Sequence, residues 1–399
     1  MMSLNPENYR DDFPVLQEKS HEEQIVYFDN AATTHTPEQV VERIEKFYRK
    51  ENSNEGRSLH ELANRATVAY ENARETVAEF VGAEADEIIF TRNTTESANL
   101  VAEGLELDGK IVLPKMSHHS EQLPWRRKAE ENNLEIEFIP TKNGKLDLEA
   151  AREIIDEDTA LVSVSHVSNV FGCTNPVEEI AEISHENDAY IFVDGAQSVP
   201  RESIDVKEEN IDFLAFSGHK MCGPTGIGAV YGRKEILEEM KPFNVGGGMI
   251  ETVEEDKVKY GEVPSRFEAG TPNIAGAAGL AAAVDYLEEI GLKRIDEHEK
   301  KLCDQMIEGL KEIEGVEIYA PEDQSPSVVS FTMKDAHPHD VAEILNTEGV
   351  AVRAGHHCAQ PQMQELQISG TVRASPYLYN TEDEVEKFLE AVEKVKEVF

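Results

Sequence analysis

The chain has 399 residues, with 79 acidic side chains against 38 basic ones, a formal net charge of −41, and 40% hydrophobic and 7% aromatic residues. That length and apolar content suit a large globular domain with a smaller one beside it, and no apolar run is long enough to span a bilayer. The acidity argues against nucleic acid and anionic membrane as partners, because both demand Lys and Arg. It is spread along the whole chain and reads as a solvated surface adapted to a salty cytoplasm, where screening suppresses self-repulsion. Met1 to Ser20 is polar and acidic, without the basic and apolar regions of a signal peptide, so a cytoplasmic location is expected. Cys173, Cys222, Cys303 and Cys358 are widely separated and form no C-x-x-C pair, which offers no disulfide framework and no zinc cluster.

In chain order, helix-period patterns at 37–51 and 59–81 precede a strand at 87–91. A helix at 95–105, a strand at 110–113 and a helix at 121–132 follow. Further strands are expected at 160–165, 189–194, 211–216 and 228–231, with a helix at 177–185 between the first two. Such alternation, with continuously apolar strands, predicts an α/β fold: a mostly parallel central sheet with helices on both faces. From about Gly276 the texture changes to an Ala-rich helix (277–290), a charged helix (293–313), strands at 316–319 and 328–332, and helices at 340–348 and 382–398. We expect a large domain over 21–276 and a smaller α+β domain from 1–20 and 277–399, packed closely because no low-complexity linker separates them. In parallel sheets of this kind a ligand lies beyond the carboxyl ends of the strands.

Those strand ends carry chemistry. Lys220 follows the apolar run Ile211–Phe216 in Ser217-Gly218-His219-Lys220, and Asp194 ends the run Ala189–Val193. An amine and a buried carboxylate, each delivered by a strand end, are what pyridoxal 5′-phosphate (PLP) requires: one for the Schiff base, the other for the pyridinium nitrogen. Asn93-Thr94-Thr95-Glu96 opens a helix after a strand, where hydroxyls and free N–H groups make an anion site; an ordinary Thr N-cap has the same pattern. Asn169, after another strand, can reach a cofactor oxygen or a substrate, or make an Asx-turn. His118 in the His118-His119 pair can stack on a ring or shuttle protons. His356-His357-Cys358 places a thiol beside two imidazoles in a Gly-containing, mobile loop, the setting of a reactive thiolate. Arg373 is a candidate clamp for a substrate carboxylate, or a surface ion pair.

Together these residues resemble the cysteine desulfurases of the SufS type, within the class V aminotransferase superfamily of fold-type I PLP enzymes. The resemblance runs from Tyr27-Phe28-Asp29-Asn30-Ala31-Ala32 to Tyr379-Asn380-Thr381 and is most specific at Ser217–Gly228, Arg266–Asn273 and Val352–Ala359. It implies that Lys220 carries the cofactor and then acts as base, that Asp194 pairs with the ring nitrogen and that His118 stacks on the ring. Gln197 and Asn169 would contact the phenolic oxygen, and Thr94, Thr95, Ser217 and His219 would hold the phosphate. Thr271 would reach the phosphate in a neighbouring subunit, implying a homodimer. Arg373, assisted by Asn169, would bind the carboxylate of L-cysteine, and Cys358 would accept its sulfur as a persulfide while alanine leaves. A sulfur-acceptor protein then takes the persulfide, with iron–sulfur cluster assembly or tRNA thiolation as destinations. His337-Pro338-His339-Asp340 resembles the enzymes that serve a zinc-bearing SufU-type acceptor rather than a SufE-type one, with His339 as a zinc ligand in the complex; a helix-start histidine is the alternative.

The chain departs from the family pattern around the site entrance. Gly56-Arg57-Ser58 stands for His-Arg-Gly, Asn93 for a Gly, Ser117 for a Glu, and Ser120-Glu121 for Ala-Asn, and the loop at Gly246–Ile250 is one residue short. These changes touch substrate preference and acceptor choice more than the cofactor. Selenocysteine lyase, an aminotransferase and a PLP-bound scaffold protein with little turnover are the competing readings. An aminotransferase gives Cys358 no task, and the intact Lys220, Asp194, Cys358 and Arg373 argue against a retired enzyme.

Overall fold

The computed structural model describes residues 4–20, 23–56 and 59–399. Arg57 and Ser58, which belong to one of the departures above, lie outside the described residues. Seven strands build the central sheet: β1 (Ile88–Thr91), β2 (Lys110–Pro114), β3 (Ile136–Ile139), β4 (Thr159–Ser165), β5 (Tyr190–Asp194), β6 (Phe213–Ser217) and β7 (Gly228–Gly232). Their spatial order is β1-β7-β6-β5-β4-β2-β3. The run β3-β2-β4-β5-β6 is parallel, while β7 lies antiparallel between β6 and β1. β1 therefore points the same way as the parallel set, and the carboxyl ends of β1, β2, β4, β5 and β6 open on one edge.

Every strand of this sheet except the edge strand β3 buries both faces, as continuous apolar runs require. Alternate residues go to opposite sides. Ile191, Val193, Leu214 and Phe216 pack with the helices Glu61–Phe80, Val177–Glu186 and Ile274–Ile290, whereas Phe192, Phe213 and Ala215 pack with Thr94–Gly104 and His119–Asn132. The Ala-rich helix Ile274–Ile290 lies close on Glu38–Lys46, since a Cβ at Gly279 would come within 2.9 Å of Ile44. The segment expected as one helix over 37–51 is α-helical only to Lys46 and continues as a π-helical turn, Phe47–Glu51.

A second sheet, antiparallel throughout, comprises β8 (Val316–Tyr319), β9 (Val329–Met333), β10 (Arg353–Gly355) and β11 (Thr371–Ala374) in the order β8-β9-β11-β10. Its core with Leu292–Glu312, Pro338–Thr347 and Glu382–Val398 also takes in Val26 and Phe28. The short strand Val26–Tyr27 pairs in parallel with Val350–Ala351 as a separate two-stranded sheet and so ties this early segment to the one that leads into β10. Strands β3, β10 and β11 are additions to the sequence-derived set. Glu137 breaks the run of β3, and β11 buries Arg373 between Val372 and Ala374. No helix among the described residues is long and apolar enough to cross a membrane.

Candidate active site

A cavity of about 580 Å³ opens at the shared carboxyl edge of the central sheet and is closed on its other side by β10, β11 and the turn after β10. Thr94 and Thr95 after β1, His118 after β2, Asn169 after β4, Asp194 and Gln197 at the end of β5, and Ser217, His219 and Lys220 after β6 all line it. Cys358 and Arg373 line it from the second sheet. Thr271 does not; it is exposed on the surface outside the cavity. His339 is also outside and exposed, with Nε2 only 3.6 Å from the position a Cβ on Gly355 would take, three residues before Cys358.

The anion end is built by strand pairing. Gly228 of β7 stands opposite both Ser217 and Thr91, and a Cβ there would meet Phe216 O at 2.5 Å and Asn93 Cα at 3.0 Å. That close approach lets Ser217 Oγ accept from the Thr94 N–H at 2.9 Å and lie 2.7 Å from Thr94 Oγ1. Asn93 caps the helix Thr94–Gly104 by accepting from the Glu96 N–H. Thr95 Oγ1 donates to Ser120 Oγ at 2.7 Å, which adds a hydroxyl beside the same helix start. The cluster of hydroxyls and N-terminal dipole favours a dianion there.

At the opposite end Asp194 is buried, with the Ala196 N–H donated to Oδ1. Burial raises its proton affinity, while Lys220 and the Ala196 N–H lower it. Lys220 moves the other way: burial pushes its amine down to about 8, opposed by Asp194 and helped by Arg373. His118 Nδ1 accepts from the Ser120 N–H, so the ring proton sits on Nε2. Burial first, then Lys220, hold this imidazole neutral by lowering it to about 3. His219 is lowered to about 4 by burial and Lys220. Gln197 Nε2 donates one hydrogen to Ala31 O at 2.7 Å and keeps a second.

Arg373 is buried, donates from Nη1 to Asn169 O at 2.9 Å, and faces Asp29 with Nη2 at 3.6 Å; its Nε has no partner among the described residues. An unpaired buried guanidinium donor is costly and points to an anion to be bound. Asp29 is itself gripped by Arg353 through two bonds, 3.0 and 2.7 Å.

The turn carrying Cys358 is not the free loop its glycine suggested. His119 donates its N–H to Cys358 O at 2.7 Å, Asn169 Nδ2 donates to His357 O at 2.7 Å, and buried His357 holds Thr371 Oγ1 at 2.8 Å. His357 and Cys358 both have left-handed backbones, φ 51° and 55°, a conformation that non-glycine residues keep only when held from outside. The tethers thus fix the turn while leaving the thiol exposed; the other three cysteines are buried. Asn169 gives one of its two amide hydrogens to this turn and keeps the other. Sequence reasoning gave no role to Asp29, Arg353 or Ser165, although Asp29 and Arg353 stand in the stretches that carried the resemblance, and it gave His357 only the role of an imidazole beside the thiol.

These residues fit PLP. A half-buried lysine and a buried carboxylate line one cavity of suitable size, with an anion cradle and a neutral imidazole on its wall. No group of His, Cys, Asp and Glu among the described residues could hold a metal ion.

Comparison with known proteins agrees. The aminotransferase class-V family model matches residues 26–388. A cysteine desulfurase of Haloferax volcanii is 46% identical over 98% of this chain and 96% of that protein. The apo structure of a cysteine desulfurase from Thermococcus onnurineus superposes with a TM-score of 0.95 at 45% identity, covering all of both chains. The cysteine desulfurase CsdA of Escherichia coli does so with 0.92 at 34% identity, again over all of both chains. With its cavity at the end of a mostly parallel sheet and these relatives along its full length, the chain belongs to the class V aminotransferase family and, within it, to the PLP-dependent cysteine desulfurases.

Proposed function

We propose that this chain is a SufS-type L-cysteine desulfurase that moves the sulfur of L-cysteine onto Cys358 and releases L-alanine. The observation that carries the reading is the meeting of Lys220, Asp194, Arg373 and an exposed, tethered Cys358 on one cavity. Bound PLP supplies the electron sink for the pair left at the substrate's Cα. Lys220 would hold the cofactor and would also be the base for the Cα proton; its lowered amine is partly neutral near physiological pH. Asp194 would face the ring nitrogen, and neutral His118 the ring. Gln197 has one N–H free for the phenolic oxygen, and Thr94, Thr95, Ser217 and His219 would hold the phosphate. Arg373 Nε would take the substrate carboxylate, with Asn169 placing both Arg373 and the Cys358 turn. The Cys358 thiolate would attack the substrate sulfur: an S–S bond forms, the Cβ–S bond breaks with its electron pair left to carbon, and protons delivered to Cβ and back to Cα give alanine.

The test is alanine released from L-cysteine with thiol reductant in high-salt buffer. Cys358→Ser should lower it by about a thousandfold, because the nucleophile is lost. Sulfur retained by that variant sinks the role of Cys358, and selenide release surviving in it favours a selenocysteine lyase.

We further propose a cytoplasmic homodimer in which exposed Thr271 completes the partner's phosphate site, and the domain division 21–276 against 1–20 with 277–399. Thr271→Ala should weaken cofactor binding without changing the dimer mass measured by light scattering; unchanged affinity refutes the shared site. The acceptor we infer is of the zinc-bearing SufU type, supplying iron–sulfur assembly, supported by exposed His339 beside the Cys358 turn. His339→Ala should slow sulfur transfer to that acceptor while leaving reductant-driven alanine release intact; equal transfer rates refute it.

A further inference from the structure

Glu121 is a buried carboxyl that the chemistry above leaves unused. Its side chain is fully enclosed in the helix His119–Asn132 and its partners are three neutral hydroxyls. Ser117 Oγ lies 2.8 Å and Ser163 Oγ 3.1 Å from one carboxyl oxygen, and Ser165 Oγ lies 2.6 Å from the other. Ser165 lines the cavity and stands in register with Asp194 across the parallel pair β4–β5. Adjacent strands in such a ladder are about 5 Å apart, and residues in register project from the same face. A carboxyl, a hydroxyl and a second carboxyl thus follow one another from the core to the cavity wall. Ser117 and Glu121 are two of the positions at which this chain departs from the family pattern, so the arrangement belongs to its own residues.

Two carboxylates on either side of Ser165, both out of water, cannot both ionise at low cost. Burial and the charge of Asp194 both raise the proton affinity of Glu121 against the pull of the three serines. Asp194 is raised by burial too, but it has Lys220 and the Ala196 N–H to stabilise its charge. Arg373 on β11 and His118, held neutral at the start of Glu121's own helix, line the same cavity as Asp194. We propose that Glu121 and Asp194 form a carboxyl pair that carries one proton, on Glu121, so that a single negative charge, on Asp194, meets the cofactor's ring nitrogen. The last clause rests on the reading of Asp194 given above. Glu121 is a positioning residue: neutral, it donates its O–H to one serine and accepts from the others, and it acts on the cofactor only through Ser165 and Asp194.

Infrared difference spectra of the cofactor-free protein, wild type minus Glu121→Gln, read this proton directly. The expected result is a protonated-carboxyl band at about pH 7 that vanishes as the pH rises, and that vanishes about one pH unit or more lower in Asp194→Asn, where the like charge is gone. Cofactor affinity gives a second readout. Glu121→Gln, a neutral isostere, should keep it within about threefold, whereas Glu121→Ala, which leaves buried hydroxyls unpartnered, should lose about tenfold. Absence of the band at neutral pH, a band indifferent to Asp194→Asn, or a Gln variant as impaired as the Ala variant overturns the proposal. Unchanged cofactor absorption in Asp194→Asn overturns the link to the ring nitrogen specifically, while the shared proton stands or falls on the infrared band alone.

Discussion

Lys220 shows how one residue's chemistry is set by its surroundings. Burial disfavours its charged form, Asp194 favours it, and the balance leaves the amine at about 8 instead of its ordinary value above 10. An amine accepts a proton only when neutral, so its reactivity rises with pH up to that value and falls below it. Removing Asp194 takes away the group that raises it most. In the cofactor-free protein, Asp194→Asn should therefore shift the pH profile of Lys220 acylation, followed by mass spectrometry, toward acid by about one unit or more. An alkaline shift would mean that Asp194 does not face the amine. Arg373 offers a second case. Its buried Nε lacks a partner, while its other donors are held by Asn169 O and Asp29. Lysine in its place keeps a positive charge but loses the planar fork. We expect Arg373→Lys to raise KM for L-cysteine by about 10–100-fold, the loss of a charged hydrogen bond of roughly 1.5–3 kcal/mol, with a smaller change in kcat. An unaltered KM would exclude Arg373 as the carboxylate clamp.

Among the elements, β7 bears most directly on the site. It runs against its neighbours, and its first residue must be glycine because the Phe216 carbonyl and the Asn93 backbone leave no room for a Cβ. Gly228→Ala has to push β6 or the Asn93–Thr95 turn outward, separating Ser217 from Thr94. Overpacking of this kind costs about 1–3 kcal/mol. The expected outcome is a lower melting temperature with cofactor affinity reduced by at least about tenfold, read by equilibrium dialysis; weakened stability with intact affinity would show that the phosphate cradle adjusts independently of the strand. The tethered Cys358 turn is the corresponding device on the other wall. Its backbone carbonyls are held by groups from two different elements, His119 and Asn169, so the thiol is presented by the large sheet's loops although it belongs to the small sheet's chain.

Across the whole molecule, the excess of 41 acidic groups dominates surface electrostatics. Surface ion pairs such as Arg127–Glu131 and Lys293–Glu297 are individually worth little. Salt screens both these attractions and the general repulsion, but acidic groups outnumber basic ones about two to one, so repulsion loses more. The melting temperature should rise by at least about 5 °C between 0.1 M and 2 M KCl, a stabilisation of a few kcal/mol for a chain of this size. A flat or falling curve would mean that ion pairs outweigh repulsion.

Much of this was readable before any coordinates. Apolar runs ending in Asp194, Ser217 and Ser165 mark buried parallel strands because a strand covered on both faces must be apolar throughout, and the residues just beyond them must face the ligand edge. That logic located Lys220, Asp194, Asn169, His118 and the Thr94–Thr95 turn. It failed where a strand carries a buried charge, as in β11 with Arg373, or where polar alternation hides a short edge strand, as in β3. It failed also for Glu121 and Asp29, since a carboxyl in sequence looks the same whether solvated or enclosed. Local pattern determined the elements and the chemistry they carry. Only the tertiary structure decided that Glu121 is enclosed by three serines, that Asn169 and His119 hold the Cys358 turn, and that Arg373 keeps a donor unpaired. Those facts depend on distances between residues far apart in the chain, and dielectric and hydrogen-bond geometry exist only once those residues meet.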